Sequence, residues 1–183
     1  MPPHRCPWWL GYFLASPIRK FGQNPEKILG PHIRPGMLAL DIGCGMGFFS
    51  IPLARLVGPQ GKVVCVDIQP QMLQGLKRRA AKAGVVDRLD IRLCGEDSLG
   101  IADLAGKVDF ALAFAVAHEI GDTSRFLREV HNVLVPDGAL LLAEPVTHVK
   151  AYEFAETVAL AEQTGFVVAD RPTIRRSRAV LLK

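Results

Sequence analysis

The stretch Leu38 to Gly47, LALDIGCGMG, decides the fold. Leu38, Ala39 and Leu40 continue an apolar run from Met37 that closes on an acid, Asp41. Gly43, Gly45 and Gly47 follow at alternate positions, and a helical pattern begins at once. A short apolar strand running through a glycine corner into a helix is the entry to an open α/β sheet. There, ligands bind at the carboxyl ends of the strands. Glycines at the corner let the backbone turn sharply and approach a ligand closely.

Working outward, four more short apolar runs follow: Val63–Asp67, Leu89–Leu93, Val108–Phe114 and Ala139–Ala143. Nearly continuous apolarity, without alternation, is how strands covered on both faces read. Helical patterns lie between them, over Phe48–Val57, Pro70–Ala83 and Thr123–Leu134. Gly58-Pro59, Gly84 and Pro136-Asp137-Gly138 are their stops. Pro70 suits a first helical turn, and Asp122 and Thr123 are candidate caps. Strand–helix repetition predicts a parallel sheet with right-handed crossovers. A last helix is expected over Lys150–Thr164, then strands over Phe166–Asp170 and Ala179–Leu182. The connection near Pro172 is too short for a parallel crossover, so this pair is expected to be antiparallel. The expected fold is thus a doubly wound α/β domain whose mostly parallel sheet of seven strands ends in an antiparallel pair. Residues 1–183 are expected to form one domain, with 1–35 a cover segment and 36–183 the α/β core.

Glycine spacing separates two cofactor classes. A dinucleotide fingerprint needs a third small residue five positions after the first glycine. Counting from Gly43 that position is Phe48, a bulky side chain. Counting from Gly45 it is Ser50, a weaker competitor that places the glycines inside the helix. The second strand ends in Asp67, 20 residues after Gly47. A carboxylate there can accept both hydroxyls of a ribose; the plainer alternative is an acidic cap before Pro70.

These segments, with CGEDS (94–98), VDFALAFAVAHEIGD (108–122) and FLREVHNVLVPDGALLLAEP (126–145), resemble the class I S-adenosylmethionine-dependent methyltransferases. The resemblance covers nearly the whole chain from Gly36 on. It implies S-adenosylmethionine as cofactor, with Asp41 at the methionine amino group, Gly43 and Gly45 along the methionine moiety, and Gly47 completing the loop. Asp67 would hold the ribose and Ile68 pack on the adenine. Either Glu96 or Asp97 would meet the adenine amino group. Phe114 ends the fourth strand, and the family sets the residues after it beside the methyl group. His118 is therefore a candidate base or positioning group, and Glu144, at the tip of the fifth strand, a second catalytic candidate. Each has an ordinary alternative, as a histidine satisfied by nearby backbone and a structural hydrogen-bond acceptor. The segment after the fourth strand lacks the Asn/Asp-Pro-Pro-Tyr pattern of amino-methylating enzymes, and no cysteine pair suggests RNA cytosine chemistry. The resemblance is closer to enzymes acting on small molecules, quinones or lipids. A nicotinamide-dependent oxidoreductase and a non-catalytic cofactor-binding protein are the alternatives.

Composition sets limits around this reading. The chain has 183 residues, 49% hydrophobic and 22% charged, with net charge +4, a globular composition. The arginines are spread thinly, without the basic, aromatic-interleaved face of a nucleic-acid binder. Cys6, Cys44, Cys65 and Cys94 form no C-x-x-C pair or zinc spacing, and reduced thiols suit a cytoplasmic protein. No apolar run reaches the ~20 residues of a membrane helix. The stretch CPWWLGYFLA is interrupted by proline and lacks the cleavage site of a signal peptide, so it is expected to be a docked segment of the fold. Its aromatics Trp8, Trp9, Tyr12 and Phe13 suit core packing or a wall of an apolar substrate pocket. A cover helix is expected over Phe21–Ile33, with Asn24 as cap and Pro25 at its first position. Substrate selection is expected from this segment, the loop near His118 and the residues around Pro145–Tyr152.

Overall fold

A computed structural model describes residues 22–183. Trp8, Trp9, Tyr12, Phe13 and Phe21 lie outside the described residues. The elements are α1 (Pro25–Leu29), β1 (Leu38–Ile42), α2 (Ser50–Leu56), β2 (Lys62–Asp67), α3 (Pro70–Lys82), β3 (Leu89–Leu93), β4 (Val108–Phe114), α4 (Thr123–Val133), β5 (Leu134–Pro145), α5 (Ala151–Gln163), β6 (Val168–Asp170) and β7 (Ser177–Leu182). The strands form a seven-stranded sheet in the order β3-β2-β1-β4-β5-β7-β6. β3 to β5 are parallel in register, and β7 is antiparallel to both β5 and β6. This is the doubly wound arrangement expected. The chain lays β2 and β3 to one side of β1 and returns to place β4 on the other. That reversal opens a crevice at the strand tips.

The absence of alternation now has a structural cause. Along β4, Phe110, Leu112 and Phe114 pack on the side of α1, α2 and α3, while Ala111 and Ala113 pack on the side of α4 and α5. Both faces are buried from Phe110 to Phe114, so every position there is apolar. Asp109, nearer the start of the strand, is half-buried and accepts Leu38 N–H at 2.8 Å. Along β1, Ala39 joins the first layer and Leu40 and Ile42 the second. Asp41, between them, therefore points to the α2 side.

Several boundaries differ from expectation; β6 starts at Val168 rather than Phe166 and β7 at Ser177 rather than Ala179. Helix α2 starts at Ser50 rather than Phe48, because Gly47 N–H donates to Cys44 O at 3.0 Å and closes a turn first. Strand β5 starts at Leu134, not Ala139. Its register on β4 shifts between Val108 and Phe110, so the Pro136-Asp137-Gly138 segment is an irregularity within the strand rather than a stop outside it. Helix α1 is only five residues long, although Asn24 caps it through Lys27 N–H at 3.1 Å and Pro25 opens it as expected. Among the described residues, no helix is long and apolar enough to cross a membrane.

Candidate active site

A cavity of about 550 Å³ opens at the carboxyl ends of β1, β2, β3 and β4, a size suited to a cofactor. Its floor is the glycine corner. Gly43 and Cys44 N–H groups both donate to Val66 O, at 2.9 and 3.1 Å, pinning the corner to the end of β2. Gly43 has φ +66°, and a Cβ there would meet Val116 Cγ2 at 2.5 Å. Glycine is thus required both by backbone conformation and by the segment following β4. Gly47, at φ +81°, is excluded from bearing a side chain by Leu76 on α3. Gly47 does not line the cavity; its contact is the packing of α3 against the loop, whereas the resemblance implied cofactor contact.

The two acids stand at adjacent strand tips. Asp41 is 2% exposed and accepts the Ser50 hydroxyl proton at 2.5 Å. Burial pushes its pKa up to about 7, against the Ser50 hydrogen bond and with a smaller push from Asp67. Asp67 accepts Gly45 N–H and Gln69 N–H on its two oxygens, each at 2.8 Å. Burial raises its pKa as well, and these backbone donors pull it back. Asp67 therefore closes a local turn ahead of α3 through Gln69 and also braces the glycine corner. Each of its oxygens retains acceptor capacity for a ligand hydroxyl.

Ile68, Glu96, Asp97 and Phe114 line the same cavity. Phe114 stacks obliquely on Phe49, with ring centroids 4.4 Å apart. Phe48 also lines the cavity and meets Phe49 edge-on. No described residue before Asp41 lines it. The α1 segment instead packs beside α2, with His32 stacked on Phe110 at 5.7 Å.

His118 and Glu144 do not line the cavity. Ala115, at φ +58°, turns the chain after β4. Val116 and Glu119 then face the cavity while His118 faces β5. Glu144, 2% exposed, accepts Ala117 N–H at 2.7 Å and pairs with His118 Nδ1 at 2.5 Å. That hydrogen bond raises the His118 pKa against partial burial. His148 approaches His118 edge-on, with centroids 5.6 Å apart.

Several residues of the site were not singled out by sequence reasoning. Ser50 entered only as the third small residue of the weaker dinucleotide register, and it lies behind the cavity as the hydrogen-bond donor to Asp41. Arg125 and Glu129 were assigned no role from the sequence, yet both line the cavity and bond to the loop after β3.

A profile described as a methyltransferase domain matches residues 33–169. The chain is 32% identical over 148 residues to a ubiquinone biosynthesis O-methyltransferase of Azorhizobium caulinodans, covering 80% of this chain and 54% of that protein. It is also 32% identical over 149 residues to the ubiquinone/menaquinone biosynthesis C-methyltransferase UbiE of Hahella chejuensis, covering 78% and 59%. The chain thus spans little more than half the length of these relatives. Its fold matches that of a SAM-dependent methyltransferase from Aquifex aeolicus with TM-score 0.87 at 23% identity, covering 97% of this chain and 98% of that one.

Proposed function

The chain belongs to the methyltransferase-domain family, and we propose that it binds S-adenosylmethionine in the cavity and transfers its methyl group to a small-molecule acceptor. One observation carries this reading: two buried carboxyl groups at neighbouring strand tips open onto one cavity, with a side-chain-free corner between them. The cofactor supplies an electrophilic methyl group on sulfonium. The protein's task is mainly to hold acceptor and donor in line, which lowers the barrier by removing orientational freedom.

Asp41 is matched to an ammonium: a buried carboxyl whose ionisation is penalised gains most from a cation beside it. Gly43 and Gly45 let the amino-acid portion approach the backbone. Asp67 offers oxygens to the ribose hydroxyls, and Ile68 an apolar surface to the adenine. Glu96 and Asp97 stand at the adenine end, and Phe114 walls the cavity at the tip of β4. His118 and Glu144 lie outside the cavity and pair with each other; we assign the pair to holding the segment after β4, whose Val116 and Glu119 wall the cavity. The likeness to methyltransferases of ubiquinone and menaquinone biosynthesis supports an acceptor of quinone-precursor size. Free thiols at Cys44, Cys65 and Cys94 support a cytoplasmic setting. No observation favours the dinucleotide reading, since Phe48 occupies the position that a pyrophosphate-binding turn keeps small.

Calorimetric titration with S-adenosylmethionine tests the proposal. Binding by the wild type and an affinity about tenfold or more lower in Asp67→Ala are expected, because a charge-assisted hydrogen bond is lost. An unchanged affinity in that variant removes Asp67 from the site. Release of S-adenosylhomocysteine across a metabolite panel then identifies the acceptor; none with any acceptor would leave a binding protein rather than an enzyme.

A further inference from the structure

The loop of residues 94–100 forms one wall of the cavity and has no helix or strand of its own. It closes on itself through Gly95 N–H to Ser98 O and Gly100 N–H to Ser98 Oγ, both 3.1 Å. Two side chains of α4 reach across to it. Glu129 Oε2 accepts Leu99 N–H at 2.8 Å and the Ser98 hydroxyl at 3.1 Å. Arg125 donates to Glu96 O at 3.3 Å and stands 3.5 Å from Asp97 Oδ1. These two residues are four apart, so they share one face of the helix. Helix α4 is itself fixed. Asp122 caps it through Arg125 N–H at 2.9 Å, and Phe126, Leu127 and Val130 are buried against the sheet.

We infer that Arg125 and Glu129 form a clamp that holds the 94–100 loop in its binding shape and thereby sets affinity for the adenosyl end of the cofactor. Both are positioning residues, acting through the loop. The inference rests on the proposed cofactor reading and on strand order. Asp41, Asp67 and Cys94 lie at or just beyond the tips of β1, β2 and β3, which are neighbours in that order. A ligand with its ammonium at Asp41 and its sugar at Asp67 continues towards this loop. A loop that must be ordered on binding subtracts that ordering from affinity, and a loop already held does not. Glu129 does the larger share, because one carboxylate oxygen takes two donors, one of them backbone.

The test is titration of the full chain with S-adenosylhomocysteine and with 5′-methylthioadenosine, which lacks the amino-acid end. Glu129→Ala is expected to weaken both by the same factor, about tenfold. Glu129→Gln keeps an accepting oxygen and is expected to stay within about threefold of wild type. Arg125→Ala, at a partly exposed position, is expected to weaken both probes less. Hydrogen exchange at the Leu99 amide should quicken in Glu129→Ala. Unchanged binding of both probes in Glu129→Ala, or equal losses in the Ala and Gln variants, overturns the clamp. If the wild type binds neither probe, the cofactor reading itself falls.

Discussion

Asp41→Asn is expected to make the ligand-free protein more stable at alkaline pH while making it a poorer cofactor binder. The carboxyl is 2% exposed, and burial lifts its pKa from an ordinary 3.8 to about 7. The folded state therefore keeps this proton to higher pH than the unfolded state does. Stability falls as pH rises from the unfolded value towards the folded one, and the full cost is present above both. The gap between 3.8 and about 7 corresponds to about 4 kcal/mol near pH 8. Water reaching Asp41 through the cavity reduces that figure to about 1–4 kcal/mol. Asparagine is neutral at every pH and still offers an oxygen to the Ser50 hydroxyl, so the comparison isolates the charge. Urea unfolding of both proteins near pH 5 and near pH 8 should show the advantage of the variant growing by about 1–3 kcal/mol across that interval. Titration near pH 8 should show S-adenosylhomocysteine bound about tenfold more weakly, while 5′-methylthioadenosine is unaffected. A difference that stays flat with pH, or a variant less stable near pH 8, would refute the assignment of a buried, strained charge to Asp41.

Gly43→Ala should cost about 3 kcal/mol, combining left-handed backbone strain with overlap on Val116, read by urea denaturation. Adding Val116→Ala should recover only part of that cost, because the Val116 Cβ that remains would still lie 2.8 Å from the new carbon; no recovery at all in the double variant would show that the Val116 methyl is not the obstacle. Because the Glu144 hydrogen bond raises the His118 pKa, their pairing stabilises the fold fully below the ordinary histidine range and less as pH rises through the raised value. Glu144→Gln should lower the His118 pKa in an NMR titration and flatten that dependence; an unmoved titration would detach Glu144 from His118.

The succession of strands and helices along the chain, the antiparallel ending and the acid–glycine–acid signature were all legible in the sequence, because each rests on local rules. A strand buried on both faces must be apolar throughout, a left-handed corner selects glycine, and a short connection forbids a parallel crossover. Asp41, Asp67 and the loop at 94–100 reach the same edge of the sheet because position along a parallel strand fixes which edge a residue reaches. What only the tertiary structure decided is the direction and partner of individual side chains. Gly47 reads as part of a ligand loop, yet the body of Leu76 from the next helix is what keeps it bare. His118 lies in the expected segment, but the left-handed turn at Ala115 and the buried Glu144, 26 residues away, swing it from the cavity towards β5. Glu129 reaches Leu99 across 30 residues of chain. Such pairings follow from how helices dock on the sheet, and docking depends on the summed packing of the whole core rather than on any neighbouring residue.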